Sequence, residues 1–423
     1  MRVLASEANK HVGETIEVKG WIHRIRDLGQ VVFIVLRDRS GEVQIVLDNN
    51  PELSLESVIK IEGNVIINEK SPGGVEIECK DLTLLAPAAP NLPISVNQNL
   101  DKLSLDAILD NRMISLRNTK IRDIFLIQSN ILKALSSYMH SQDFSEIKTS
   151  KLIGSGTEGG TGLFSVEYFD EKVFLAQSPQ FYKQAMVSSG LERVFEISHA
   201  YRAEKHETPR HLNEYVSFDV EMAFIETEKD LIDFEKGILK HVFEELRANC
   251  SHILEKFDTY LPTADEVDKF PIIEHSEAKK IISKEVGHRV FEINPEGERV
   301  ICEWAKREYG VEAVFINAFP RKKRPFYTFP DGLKTMSFDC IFRGLEITTG
   351  GRRINEYNMM LETLPRFGMT PEGLGDYMDI FKFGCPPHGG FAIGVERLTQ
   401  KILGLSNVKE ASPFPRDRKR VKP

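Results

Sequence analysis

The chain has 423 residues, 41% hydrophobic and 28% charged, a composition ordinary for a soluble globular protein of two or three domains. Its formal charge of −8 argues against a protein that coats nucleic acid indiscriminately, while leaving room for a local basic surface. No apolar run is long enough to span a bilayer, and the first residues lack the apolar stretch of a signal peptide. Cys79, Cys250, Cys302, Cys340 and Cys385 show neither a disulfide framework nor metal-ligand spacing. A cytoplasmic protein with buried free thiols is expected.

Five short runs, at 15–25, 31–39, 42–49, 57–67 and 74–85, are separated by turn sequences such as DLGQ, RSGE and SPGG. They predict a small Greek-key β-barrel of the OB type over 1–85, a fold that commonly grips single-stranded nucleic acid, although other small barrels share the pattern. The Pro-, Ala- and Asn-rich stretch APAAPNLPISVNQN reads as a linker, and we place a hinge at 86–115. Beyond it Ile121, Ile124, Ile131 and Leu135 recur near helical spacing, so an amphipathic helix opens the domain at 116–423. The remaining strands pair as hairpins and mix with helices, which predicts an α+β domain on an antiparallel sheet flanked by helices.

Three stretches carry chemistry. The first, FEISHAYRAEKHETPRHLNEYVSFDVEMAF, holds two alternating runs around a charged loop. Phe195, Ile197 and Tyr201 share one side with Val216, Phe218, Val220 and Met222 of the second run. Glu196, Ser198 and Arg202 share the other with Tyr215, Ser217, Asp219 and Glu221. A sheet with helices on one face can offer the other as the floor of a site, and arginine suits phosphate oxygens. A salt-bridged surface hairpin would show the same alternation. The second stretch, CIFRGLEITTGGRRIN, places Glu346 on a strand ahead of a glycine pair and two arginines. A carboxylate there suits Mg²⁺, which shares oxygen ligands with phosphates. The third, GGFAIGVERL, runs from glycines through a short strand to Glu396 and Arg397 at a helix start. A routine strand-to-helix turn reads the same way. From 401 to the end, seven Lys or Arg against two acids read as a solvated tail.

These stretches resemble, in order and character, the motifs of class II aminoacyl-tRNA synthetases: the helix from Lys120 with the following FSEIKTS looks like motif 1, the charged hairpin like motif 2, and GGFAIGVERL with the terminal PFPRDR like motif 3. The whole chain resembles aspartyl-tRNA synthetases of the archaeal type. One departure is Ser150, where motif 1 usually carries proline. The resemblance implies a homodimer that uses ATP and Mg²⁺ to activate L-aspartate as its adenylate and then transfers it to tRNA. Arg202 and Arg397 would be the catalytic pair. ATP would contact Arg202, Ala203, Glu204, Arg210, His211, Leu212, Glu346, Gly394, Val395, Glu396 and Arg397, and Mg²⁺ would sit on Glu346 and Thr349. Aspartate would meet Glu158, Gln180, Phe181, Tyr182, Lys183, Arg202, Thr349 and Arg353, with Asp219 at the ammonium end. A buried aspartate carboxylate needs cationic, preferably bidentate partners, which Lys183 and Arg353 supply. RGLEITTGG looks aspartyl rather than asparaginyl.

On the barrel, Phe33 and Gln44 match positions that stack on and hydrogen-bond the central anticodon base. Within the family, enzymes that charge only tRNA-Asp typically carry Trp where this chain has His23. Relaxed enzymes, which also aspartylate tRNA-Asn, carry His there and Pro in the loop before the last barrel strand, as Pro72 is here. The expectation is therefore an Asp/Asn enzyme, which needs an amidotransferase to finish Asn-tRNA. The alternatives are a strict tRNA-Asp enzyme, a tRNA-independent amino-acid ligase and a non-catalytic tRNA-binding paralogue.

Overall fold

The computed structural model describes residues 2–154, 156 and 162–422, and they divide into two compact units, Met1–Asn118 and Thr119–Pro423. In the first unit β1 (Thr15–Asp27), β2 (Val32–Arg37), β3 (Glu42–Leu47), β4 (Val58–Ile67) and β5 (Val75–Ala86) close into a barrel in the order β1-β2-β3-β5-β4. Strand alternation fills it: Val18, Ile22, Val32, Ile34, Leu36, Ile45, Ile61 and Ile77 point inward and are buried. β3 and β5 pair in parallel and the other neighbours antiparallel. Two short helices, Leu105–Asp110 and Arg112–Ser115, form within the Pro-rich stretch's continuation, so the segment expected as a hinge carries structure of its own.

The second unit is built on an eight-stranded sheet. Its first helix α1 (Thr119–Ser141) leads into β6 (Ser145–Glu146), and α2 (Gln180–Met186) precedes the hairpin β7 (Arg193–Tyr201) and β8 (Glu214–Ala223). Then follow α3 (Glu228–Lys256), β9 (Ile272–Glu274), α4 (His275–Val286), α5 (Pro295–Tyr309) and β10 (Ala313–Asn317). The chain ends with β11 (Ser337–Phe342), β12 (Leu345–Arg352), β13 (His388–Gly394) and α6 (Val395–Leu403). The spatial order is β9-β10-β11-β12-β13-β8-β7-β6. The centre is antiparallel as expected, but both edge pairs, β9 with β10 and β6 with β7, are parallel.

One face of this sheet is the core. Phe195, Phe218, Val220, Phe391 and Ile393 pack against Ile131 and Leu135 of α1 and Leu239 and Phe243 of α3. The hairpin register puts Phe195 opposite Val220 and Ile197 opposite Phe218 on that face. The same register sets Glu196 opposite Asp219 and Ser198 opposite Ser217 on the other. A period of two therefore buries one set of side chains and presents the other to a common floor.

Candidate active site

Above that floor lies a cavity of about 320 Å³ lined by side chains from the hairpin loop, β12 and the β13–α6 turn. Arg202, Glu204, Arg210, His211 and Leu212 come from the loop, Glu346 and Thr349 from β12, and Gly394, Glu396 and Arg397 from the turn. Residues from three distant stretches of sequence thus meet in one place. A smaller cavity of about 100 Å³ shares Arg202, Tyr215, Ser217 and Thr349 with it and adds Gln180, Lys183, Asp219, Arg324 and Arg353.

The small cavity is a charge-balanced cluster. Lys183 Nζ is 3.1 Å from Asp219 Oδ1 and 3.2 Å from Glu221 Oε2. Arg353 Nε donates to Glu221 Oε1 at 3.0 Å and its Nη2 donates to the Gly390 carbonyl at 2.9 Å. All four side chains are buried, where a charge must be paired. Burial alone would push the Glu221 carboxyl up, but Arg353 and Lys183 outweigh it and hold it below its ordinary range. Gly390 is required here: a Cβ would sit 2.2 Å from Glu221 Oε2 and 2.0 Å from the Val220 carbonyl. Sequence reading placed Glu221 on the polar face without seeing that it joins Lys183 to Arg353.

A relay behind the cluster orients Arg353. Its Nη2 reaches Gln180 Oε1 at 3.4 Å, Gln180 Nε2 donates to Gln184 Oε1 at 3.1 Å, and Tyr377 Oη donates to the same oxygen at 2.9 Å. Gln184 Nε2 in turn meets His388 Nε2 at 2.8 Å, while His388 Nδ1 lies 2.8 Å from the Pro386 carbonyl. Burial, with Arg353 and Arg352 nearby, lowers the His388 pKa despite Glu221, so the neutral ring donates from Nδ1 and accepts at Nε2. His388 is structural and lines neither cavity. Gln180 and Lys183 share the cavity face of α2 by their i, i+3 spacing. The same geometry turns Phe181 and Tyr182 away: Phe181 stacks on Tyr377 at 3.9 Å and Tyr182 faces solvent. Neither expected aspartate contact lies in the small cavity.

In the larger cavity Arg397 Nη1 lies 3.3 Å from Glu346 Oε1 and donates to the Glu346 carbonyl at 2.9 Å. Arg210 is held by an ion pair to Glu298, whose carboxylate also accepts the Glu346 amide at 2.8 Å. Burial and the approach of Arg397 lower the His211 pKa, so a neutral ring sits among the cations. Glu396 lines the cavity, yet its two oxygens accept the Val216 amide, each at 3.0 Å, which pins α6 to β8. Burial pushes that carboxyl up to about 7. Val395 is fully buried in the core, and Ala203 uses its amide to bind the Gly162 carbonyl at 2.9 Å, so neither lines the cavity by its side chain. Glu158 lies outside the described residues.

Among the described residues no group of three His, Cys, Asp or Glu side chains forms a ready metal cage. The donors fit Mg²⁺ in another way, because this ion takes one or two carboxylates and completes its shell with phosphates and water. Asp339 on β11 stands opposite Thr349 on β12 and accepts from its hydroxyl at 2.9 Å, while Arg324 lies 2.8 Å from the same Oδ1. Burial, with Glu346 adding repulsion against the pull of Arg324, raises the Asp339 carboxyl to about 6. Glu346 in the cavity lining, with the buried Asp339 hydrogen-bonded to the cavity residue Thr349, is a donor set that fits a divalent cation. Asp339 escaped sequence reading; its one signal is the seven-residue spacing to Glu346 across a tight strand reversal.

On the barrel, Phe33 is half-buried and excluded from the interior, because its neighbours Val32 and Ile34 take the inward positions. Gln44 lies on the same outer surface, and its Nε2 donates to Ser71 Oγ at 2.9 Å and Glu76 Oε2 at 2.8 Å. These bonds tie the outer face to the loop carrying exposed Pro72. His23 is different. It is buried at an irregularity in β1, with Nδ1 2.9 Å from Arg37 Nη1 and Nε2 3.2 Å from Glu42 Oε1. Arg37 is paired in turn with Glu56 at 2.9 Å.

A barrel of the OB type and an antiparallel-centred sheet whose floor gathers Arg202, Glu346 and Arg397 define a class II tRNA synthetase. The family of class II tRNA synthetases for D, K and N matches residues 104–418, an OB-fold nucleic acid binding domain matches 16–85, and the chain belongs to this synthetase family. The aspartate–tRNA(Asp/Asn) ligase of Thermus thermophilus is 44% identical over all of both chains. The aspartate–tRNA(Asp) ligase of Pyrococcus furiosus is 38% identical over 97% of each. In structure the chain is similar to asparaginyl-tRNA synthetase from Pyrococcus horikoshii complexed with asparaginyl-adenylate, with a TM-score of 0.93, 27% identity and full coverage of both chains. The backbone is thus common to enzymes of different amino-acid specificity, and the side chains must decide. Among the described residues no helix is long and apolar enough to cross a membrane.

Proposed function

We propose that this chain is an aspartate–tRNA(Asp/Asn) ligase. The observation that carries the first half is the junction of the two cavities: a small pocket lined by Lys183 and Arg353 shares Arg202 and Thr349 with a larger one lined by Arg397. Aspartate fits the small pocket with its side-chain carboxylate toward Lys183 and Arg353, and Asp219 offers an acceptor for its ammonium group. An α-carboxylate oxygen then attacks the α-phosphorus of ATP, a P–O bond forms, and the bond to the β-phosphate breaks to release pyrophosphate. Arg202, shared by both cavities, stabilises charge on the α-phosphate, and Arg397 holds the far end of the nucleotide. Glu346 and Thr349, with Asp339 beside them, would hold Mg²⁺, which neutralises phosphate charge when bound. The terminal adenosine hydroxyl of tRNA next attacks the activated carbonyl, and AMP leaves.

For the tRNA, the outward placement of Phe33 beside Gln44 supports anticodon stacking on the barrel. His23 acts there by holding Arg37 and the strand irregularity rather than by touching RNA. The relaxed reading rests on His23 and Pro72 and on the Asp/Asn name of the 44% identical relative. It brings an amidotransferase as the downstream partner, and the homodimer and cytoplasmic setting follow the family.

The test is aspartate charging of tRNA-Asp and tRNA-Asn transcripts side by side at one salt concentration. Comparable charging of both supports the proposal. Charging of tRNA-Asp alone makes the enzyme strict, and absence of both charging and aspartate-dependent pyrophosphate exchange makes it a binding paralogue.

A further inference from the structure

The catalytic unit carries a second concave site that the reaction above does not use. Helix α4 is amphipathic: Ala278 and Ile282 are buried beside Ile301 of α5. Its other face lines an open groove of about 650 Å³ with Ser276, Lys279, Lys280, Ser283 and Lys284, continued past the helix end by Arg289. Among the described residues no acidic side chain lines the groove.

A solvated helix face normally interleaves cations with acids that neutralise them. Here the nearby acids are engaged. Glu277 pairs with Lys280 at 3.0 Å, and Glu285 is turned to Arg307 of α5 at 2.8 Å. Lys279, Lys284 and Arg289 therefore have no carboxylate partner among the described residues. Lys279 Nζ reaches only the Phe291 carbonyl at 3.4 Å, and the Arg289 guanidinium lies 4.9 Å over the Phe291 ring. Three cations with no carboxylate at ion-pair distance among the described residues, gathered in one concavity on a chain of net charge −8, are a footprint for phosphates. At 12 residues the helix presents a track of roughly 18 Å.

The groove is also tied to the active site through packed side chains. His275, which opens α4, lies 4.7 Å from the Phe319 ring, and Arg324 stacks over Phe319 at 3.7 Å. Arg324 lines the small cavity and contacts Asp339. We propose that the α4 groove holds the sugar–phosphate backbone of the acceptor arm of the substrate tRNA, a phosphate-contacting surface that serves the site where the 3′ end is charged. This rests on the tRNA-charging reading above.

The test compares the wild type with K279E/K284E/R289E in two assays. Aspartate-dependent ATP–pyrophosphate exchange needs no tRNA and stays within twofold. The KM for tRNA transcript rises at least tenfold, and the slope of log(kcat/KM) against log[salt] becomes shallower by about 2 to 3. An acceptor-stem minihelix competes with tRNA for the wild type and loses that competition for the variant. Unchanged KM and salt slope with normal exchange overturn the proposal, and so does a minihelix that competes equally with both proteins. If the triple variant loses exchange, the single variants K284E and R289E decide by the same readouts. A wild type that exchanges pyrophosphate yet charges no transcript defeats the functional reading itself, an outcome separate from either of these.

Discussion

Glu221 Oε1 accepts the Arg353 Nε–H at 3.0 Å while Glu221 Oε2 faces Lys183 at 3.2 Å, so one buried carboxylate fixes both cations expected to recognise the substrate. The three residues come from β8, the segment after β12 and α2, and none is near another in sequence.

Removing that carboxylate leaves two buried cations short of a partner. Glu221→Ala is expected to destabilise the fold by about 3–5 kcal/mol, the usual cost of breaking a buried ion pair from one side. Urea unfolding of variant and wild type measures it, and a loss below about 1 kcal/mol would deny Glu221 its bridging role.

Arg353→Lys keeps the charge and loses the planar fork that reaches Glu221 and the Gly390 carbonyl together. The expected effect is a rise of roughly 10- to 100-fold in the KM for aspartate, with the KM for ATP little changed, since hydrogen bonds to charged groups are worth about 1.5–3 kcal/mol. Pyrophosphate exchange at varied aspartate reads both constants.

Arg202 belongs to both cavities, so its loss should weaken the transition state more than either ground state. Arg202→Ala is expected to lower kcat for exchange by about 10²–10³, the cost typical of deleting one donor to a developing charge. A change confined to KM would assign Arg202 to binding alone.

Beneath the floor, Glu235 of α3 is fully buried and accepts the Thr348 hydroxyl at 2.6 Å, one residue from Thr349 in the cavity. Burial raises its carboxyl to about 8, with Asp339 adding repulsion and Thr348 opposing. The folded protein therefore keeps a proton that the unfolded chain releases above its ordinary value of 4.5, so folding stability falls as pH rises from 4.5 toward 8 and then levels off. Glu235→Gln cannot titrate. Its stability relative to wild type should improve by about 1.4 kcal/mol per pH unit inside that window. Unfolding at pH 5.5 and 7.5 tests this, and parallel curves would contradict it.

Phe33 has its ring on the outside of the barrel, so Phe33→Ala should spare the fold and pyrophosphate exchange. Loss of one stacking platform is worth about 1–3 kcal/mol, which predicts a rise of roughly 5- to 150-fold in the KM for tRNA. An unfolded variant would instead place Phe33 in the core.

The barrel, the hairpin and its two faces were legible in the sequence because a period of two, set by alternating side chains, is a local property of the strand. The motif residues Arg202, Glu346 and Arg397 were legible through their family resemblance. Tertiary structure alone decided which polar residues meet. Asp339 pairs across a strand reversal, Glu221 joins side chains from separate elements, and Phe181 and Tyr182 rotate out of the pocket because a helix turns about 100° per residue. His23 illustrates the same limit: its identity is written in the sequence, but its burial against Arg37 and Glu42 depends on an irregularity in β1 and on strands that close the barrel. Local periodicity fixes which face a side chain takes, whereas long-range packing and the need to pair every buried charge fix its partners.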